Sequence, residues 1–242
     1  MNRIDGRAND EIRETRIEGY PNYIIYPEGS VLIIQGNTKV LCNISIKEEI
    51  PKFLIGSERG WLTAEYSMLP SATHTRNVRE SRLGYIHGRT QEISRLIGRA
   101  LRGIIDLNKV GERSIIVDCD VLQADGGTRC ASITGSFIAL RAAVNKLLDE
   151  GIFEEDPIIE PIAAISSGIV DGEFLLDLCY EEDSRASVDL NCIMTESRKI
   201  VEVQATAEGA PFIQDDLNKL IDLSWKGIKE LIELQKKVIS QS

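Results

Sequence analysis

Hydrophobic and polar residues change their rhythm several times along this chain, and the changes mark its elements. Ser30–Gln35 is rich in β-branched residues and ends at the turn residues Gly36 and Asn37. After them Val40, Cys42, Ile44 and Ile46 alternate with Leu41, Asn43 and Ser45, the two-residue period of a strand. From Pro51 to Gly88 no period is sustained, which predicts a long loop with short strands. A helix is predicted next, with Thr90 as its N-cap and Glu92 in its first turn. Ile93, Leu96, Ile97, Ala100, Leu101 and Ile104 share one face, and Arg95, Arg99 and Arg102 fall on the other, which is expected to be solvated.

A strand over Ser114–Leu122 follows, broken by Gly126-Gly127. The helix after it carries Ile133, Phe137, Leu140, Val144 and Leu147 at helical spacing. Beyond Pro157 and Pro161 the order repeats. Strands are expected at Ile162–Val170, Phe174–Tyr180, Leu190–Thr195 and Ile200–Thr206, then an amphipathic helix from about Asp215 to Val238. Each half reads as strands followed by a helix. The prediction is an α+β fold of two pseudo-repeated strand-helix units, about 1–155 and 156–242, packed together as one domain.

The length of 242 residues and the 43% hydrophobic and 27% charged fractions suit an ordinary globular protein. Met1–Arg7 is charged and lacks an apolar stretch, so no secretory signal is expected, and no apolar run approaches a bilayer span. Five cysteines form no C-x-x-C pair. Cys42, Cys119, Cys179 and Cys192 sit in apolar segments, as buried reduced thiols do, which points to a reducing cytoplasm. Net charge is −10, yet residues 76–102 hold seven arginines against Glu80 and Glu92. That window is +5 and the remainder −15. An acidic body with one cationic surface suits a protein that grips an anion in one place.

No Walker-type, dinucleotide-binding or H-E-x-x-H motif occurs, and two histidines, His74 and His87, exclude a histidine-rich metal site. The strongest local signal is Asp118–Ser132, where a strand ends, Gly126 and Gly127 follow, and Thr128 and Arg129 open a helix. Glycines permit close backbone approach, a helix N-terminus favours an anion, and Thr and Arg add donors matched to phosphate. A plain strand-to-helix turn with Arg129 exposed would read the same way. Arg89 stands apart from the arginine stripe and would lie towards the apolar face if the helix began earlier.

The segment Glu181–Asp189 is acidic. A five-residue turn over Ser184–Val188 would set Asp183 opposite Asp189 in a hairpin, about 5 Å apart, able to hold Mg²⁺ or handle a proton. A four-residue turn would send them to opposite faces, and acidic tips commonly serve solubility alone. The loop Thr73–Arg82, with Arg76 and Arg79, is basic enough to meet RNA phosphates or another subunit.

At these residues, and in blocks from Asp5–Asp10 through Gly60–Tyr66, Thr73–Asn77, Gly88–Ile93, Asp118–Gly135, Tyr180–Asn191 and Val201–Phe212, the sequence closely resembles the ribonuclease PH family nearly end to end. The resemblance implies a duplicated fold like the second domain of ribosomal protein S5. It also implies a cytoplasmic homohexamer built as a trimer of dimers. The implied activity is phosphate-dependent 3′-to-5′ exoribonuclease action on tRNA precursors and other RNA 3′ ends, rRNA included. Nucleoside diphosphates are released, and the reverse reaction adds nucleotides. In the family pattern Arg89, Gly127, Thr128 and Arg129 bind inorganic phosphate, Asp183 and Asp189 are the catalytic pair with Mg²⁺ as the expected metal, and Arg76 and Arg79 contact RNA. A catalytically silent RNA-binding ring subunit, as in exosome-like assemblies, is the alternative.

Overall fold

The computed structural model describes residues 3–241. Met1, Asn2 and Ser242 lie outside the described residues, so of the charged N-terminal run only Arg3–Arg7 is seen. Two sheets sandwich one helix. The first sheet has the order β1-β2-β3-β5-β4, built from β1 (Thr15–Glu18), β2 (Gly29–Gln35), β3 (Thr38–Lys47), β4 (Trp61–Met68) and β5 (Ser114–Gln123). All its pairings are antiparallel except β4 with β5. Between β4 and β5 lie the short α1 (Glu80–Leu83), α2 (Gly88–Arg102) and the short α3 (Leu107–Val110). The second sheet is antiparallel with the order β7-β6-β8-β9: β6 (Ile162–Val170), β7 (Glu173–Leu176), β8 (Val188–Thr195) and β9 (Ile200–Ala207). Helix α4 (Thr128–Asp149) joins the sheets, α5 (Tyr180–Asp183) is a single turn, and α6 (Gln214–Ile239) closes the chain. Each half is strands then a long helix, the duplicated α+β arrangement that the sequence implies.

Burial explains why the two central helices look so different in sequence. Helix α2 covers only the first sheet, so Ile93, Leu96, Ile97, Ala100 and Leu101 are buried along one stripe. Helix α4 packs on β2 and β3 below and on β6 above. Ile133, Phe137, Ile138, Ala139, Leu140 and Ala143 therefore bury surface all round it. The same core takes in Ile162, Ala164 and Ile193 of the second sheet. A second cluster lies between that sheet and α6, with Leu190, Cys192, Leu220, Ile228 and Leu231 at its centre. All five cysteines are buried and free. Among the described residues no helix is long and apolar enough to cross a membrane.

Four expectations are corrected. The aperiodic region contains one eight-residue strand, β4, in which Leu62, Ala64 and Tyr66 are buried in alternation. Helix α2 begins at Gly88, not after a Thr90 cap. The Thr90 hydroxyl instead donates to Glu80 Oε1 at 2.6 Å, which frees it from capping. The arginine stripe is not simply solvated: Arg99 forms a two-pronged pair with Glu202 of β9, and Arg102 lies over the Trp61 ring and donates to the Leu62 carbonyl. The strand expected through Tyr180 stops at Leu176, and no hairpin joins Asp183 to Asp189. Asp183 ends the α5 turn, whereas β8 pairs with β6 and β9.

Candidate active site

Four chain segments converge on a cleft of about 500 Å³ between the two halves, and a loop forms its rim. The first is the turn from β5 into α4. Gly126 and Gly127 have φ of +76° and +65°, the left-handed region that L side chains resist. Space forbids a side chain at Gly126, where a Cβ would lie 2.5 Å from the Leu178 carbonyl oxygen, and crowds one at Gly127, where it would lie 3.0 Å from Arg13 Nη2. The tight turn lets the cleft meet the start of α4, where the first N–H groups have no partner within the helix and the dipole is positive. Thr128 opens this helix with its hydroxyl 2.9 Å from that of buried Tyr66. Arg129 follows. Its Nη1 donates to Gln204 Oε1 at 2.7 Å and lies 3.5 Å from Glu92. Gln204 in turn donates from Nε2 to Glu92 and Glu202, so β9 and α2 brace the guanidinium from behind.

Arg89 comes from the first turn of α2, where the early helix start turns it to the cleft. Its charge reaches the other walls, since it favours ionisation of both Asp183 and Tyr66. The carboxylates come from the second half, Asp183 from α5 and Asp189 from the start of β8. Burial raises the pKa of Asp183, and Arg89 and Arg129 oppose the rise. Asp189 is raised to about 6, first by burial and then by the like charge of Asp183, with Arg129 and the Asn191 amide opposing. Arg89, Gly127, Thr128, Arg129, Asp183 and Asp189 thus line one cleft. Arg76 and Arg79 do not line it. They are exposed on the adjoining loop, while Thr73, His74, Thr75 and Asn77 of that loop form its rim.

Buried ion pairs replace the expected hairpin as the device that brings the carboxylates here. Arg3 grips Glu182, next to Asp183, through Nε and Nη2 at 2.8 and 2.7 Å, and also donates to the Leu176 and Asp177 carbonyls. Arg13 grips Asp177 at 3.0 and 2.6 Å and donates to the Asp125 carbonyl, immediately before the glycine turn. Arg13 holds the Asp177 carboxyl below its usual range despite full burial. Sequence reasoning missed Arg3, Arg13, Asp177, Glu182, Asn191 and Gln204 as supports. Glu182, Asn191 and Gln204 lie inside the family-like blocks, which was the available signal for them, whereas Arg3, Arg13 and Asp177 lie outside those blocks and left none.

The two carboxylates offer oxygen donors of the kind Mg²⁺ takes together with substrate phosphate. Among the described residues no group of three or more His, Cys, Asp or Glu side chains surrounds a point, so substrate oxygens and water would complete such a shell.

Comparison with known proteins places the chain by sequence and by fold. Residues 11–144 match the model of the 3′ exoribonuclease family, domain 1, and residues 160–227 match domain 2 of the same family. The chain is 57% identical over 240 residues to ribonuclease PH of Bacillus pumilus, covering 99% of this chain and 98% of that one. It is 54% identical over 234 residues to ribonuclease PH of Neisseria gonorrhoeae, covering 97% and 96%. Rice Rrp46 shares the fold at a TM-score of 0.79 and 20% identity, over 98% of this chain and 100% of that one. A chain of the Archaeoglobus fulgidus exosome with RNA bound to the active site shares it at 0.78 and 24%, over 96% and 92%. Two domain models matched in order, with relatives more than half identical over almost the whole length, make this chain a member of the 3′ exoribonuclease family and, within it, of the ribonuclease PH group.

Proposed function

We propose that inorganic phosphate, held by Arg89 and the Gly127–Arg129 cradle, attacks the last phosphodiester of an RNA chain in this cleft. The protein is a phosphorolytic 3′-to-5′ exoribonuclease, a nucleotidyltransferase of tRNA 3′-end processing that releases nucleoside diphosphates. The observation that carries the assignment of roles is the meeting of a cationic cradle from the first half with a carboxylate pair from the second. The two halves then act as one domain, because neither contains the whole site.

Phosphoryl transfer asks the protein mainly for alignment and charge neutralisation. Arg89 and Arg129 would draw together two phosphates that repel one another in water. The helix N-terminus and the Thr128 hydroxyl would fix the attacking oxygen in line. Asp183 and Asp189 serve the departing 3′ oxygen. When Asp189 is protonated it can deliver that proton, and when both are ionised they can hold Mg²⁺, which would neutralise charge developing there. Arg76 and Arg79, on the exposed loop, would contact the RNA upstream. A cytoplasmic homohexamer, arranged as a trimer of dimers, and action on rRNA as well as tRNA precursors complete the reading.

The test is incubation with a tRNA precursor carrying a 3′ extension, with and without phosphate. Nucleoside diphosphates formed only with phosphate support the reading. Monophosphates formed without phosphate indicate hydrolysis, and RNA binding with no products indicates a silent ring subunit. Arg129→Ala should lower phosphate-dependent shortening by about 100-fold or more, and full activity in that variant would sink the assignment.

A further inference from the structure

We propose that His74 and Tyr180 form a stacking platform for the base of the 3′-terminal nucleotide. The proposal rests on the phosphorolytic reading of the cleft. The two ring centroids are 5.6 Å apart with planes tilted by 52°, and both residues line the cleft beside Arg89 and the carboxylate pair. His74 is exposed, and Tyr180 leaves 50% of its surface to solvent.

Position ties the platform to the reacting end of the RNA. Tyr180 opens the helical turn that Asp183 closes. Side chains three residues apart on a helix are neighbours, with Cβ atoms about 5–6 Å apart. The phenol ring therefore stands one side chain away from the carboxylate assigned to the scissile bond, about as far as a phosphodiester lies from the base of its own nucleotide. The backbone that carries the two rings is held before RNA arrives. The Tyr180 N–H donates to Asp125 Oδ1 at 3.3 Å. The His74 loop is braced by Thr73 donating to the Thr75 carbonyl and Asn77 donating to Thr73.

The cradle reads phosphate and is blind to the base. An exonuclease that works inward from an end must nevertheless seat each base in turn. Stacking meets that need, because every base presents a π-face and aromatic stacking tolerates sequence.

The experiment compares RNA oligonucleotides with an intact 3′-terminal nucleotide, with that nucleotide's base removed, and with the penultimate base removed. The enzymes are the wild type, Tyr180→Phe, Tyr180→Ala and His74→Ala. Loss of the terminal base should raise the wild-type KM for RNA by about ten-fold or more. Tyr180→Phe should keep this discrimination. Tyr180→Ala should nearly abolish it and His74→Ala should reduce it, with the KM for phosphate unchanged. Because each variant is judged by its ratio between substrates, a displaced Asp183 that slows all of them alike does not mimic the result. Full discrimination in both alanine variants, its loss in Tyr180→Phe, or a selective effect at the penultimate base would overturn the platform. Absence of phosphate-dependent diphosphate release by the wild type would overturn the underlying reading itself.

Discussion

Replacing Asp189 with Asn should stabilise the protein while disabling it. In the folded protein the Asp189 carboxyl titrates near 6, against 3.8 for the unperturbed side chain. A shift of about two units corresponds to about 3 kcal/mol against the ionised form at neutral pH. The side chain is only part-buried, so solvent reduces the effect to roughly 1–2 kcal/mol. The folded state holds this proton more tightly than the unfolded state, so the penalty is complete above about pH 6 and disappears below about pH 4. Asn keeps an acceptor for the Asn191 amide that now donates to Asp189 and carries no charge. At about 2–4 °C per kcal/mol for a protein of this size, Asp189→Asn should melt about 3–6 °C higher at pH 8. The gain should shrink towards zero at pH 4. Calorimetry or circular dichroism at matched protein concentration, without phosphate, reads both values. An unchanged or lower Tm at pH 8, or the same gain at both pH values, would refute the reasoning that burial and Asp183 strain this carboxylate.

Other expectations follow from the neighbouring contacts. Gln204→Ala removes the brace on Arg129, so the KM for phosphate should rise about ten-fold with kcat falling much less, as initial rates at varied phosphate will show. Arg13→Ala takes from the fully buried Asp177 carboxylate its nearest cation, leaving Arg7 at 3.7 Å and the backbone N–H of residue 13, at a cost of about 3 kcal/mol that thermal melts would register as a Tm lower by roughly 6–12 °C. Adding Asp177→Asn to that variant should recover part of the loss. Mg²⁺ binding must displace the Asp189 proton, so its affinity, measured by titration calorimetry, should weaken up to about ten-fold per pH unit below 6.

Local pattern carried much of this fold in two ways, since one-sided burial leaves a period and two-sided burial leaves an apolar run. The α2 face follows the 3.6-residue period, and β6 keeps the bounds Ile162–Val170 that its apolar run sets. The cradle was legible for a similar reason. A glycine pair between a strand and a helix is a local event, and Gly127, Thr128 and Arg129 stand consecutively. The carboxylate pair was placed in the right segment by the wrong geometry. From Phe174 to Tyr180 the composition favours a strand, but Asp177 and Glu182 are taken by arginines 164 and 179 residues earlier. Pairing at such separation leaves no periodic trace. The same holds for Gln204, which reaches Arg129 from a strand 75 residues away.

The clamp between Arg3 and Glu182 also bears on how the enzyme comes into being. Synthesis delivers Arg3 among the first residues, but its carboxylate partner only after some three-quarters of the chain has been made. A ribosome-bound chain can already fold the first sheet around α2, and it will carry Arg89 and the glycine turn. It cannot yet hold the α5 turn or seat Asp183. A nuclease built this way carries no finished cutting centre while the first three-quarters of it are being made.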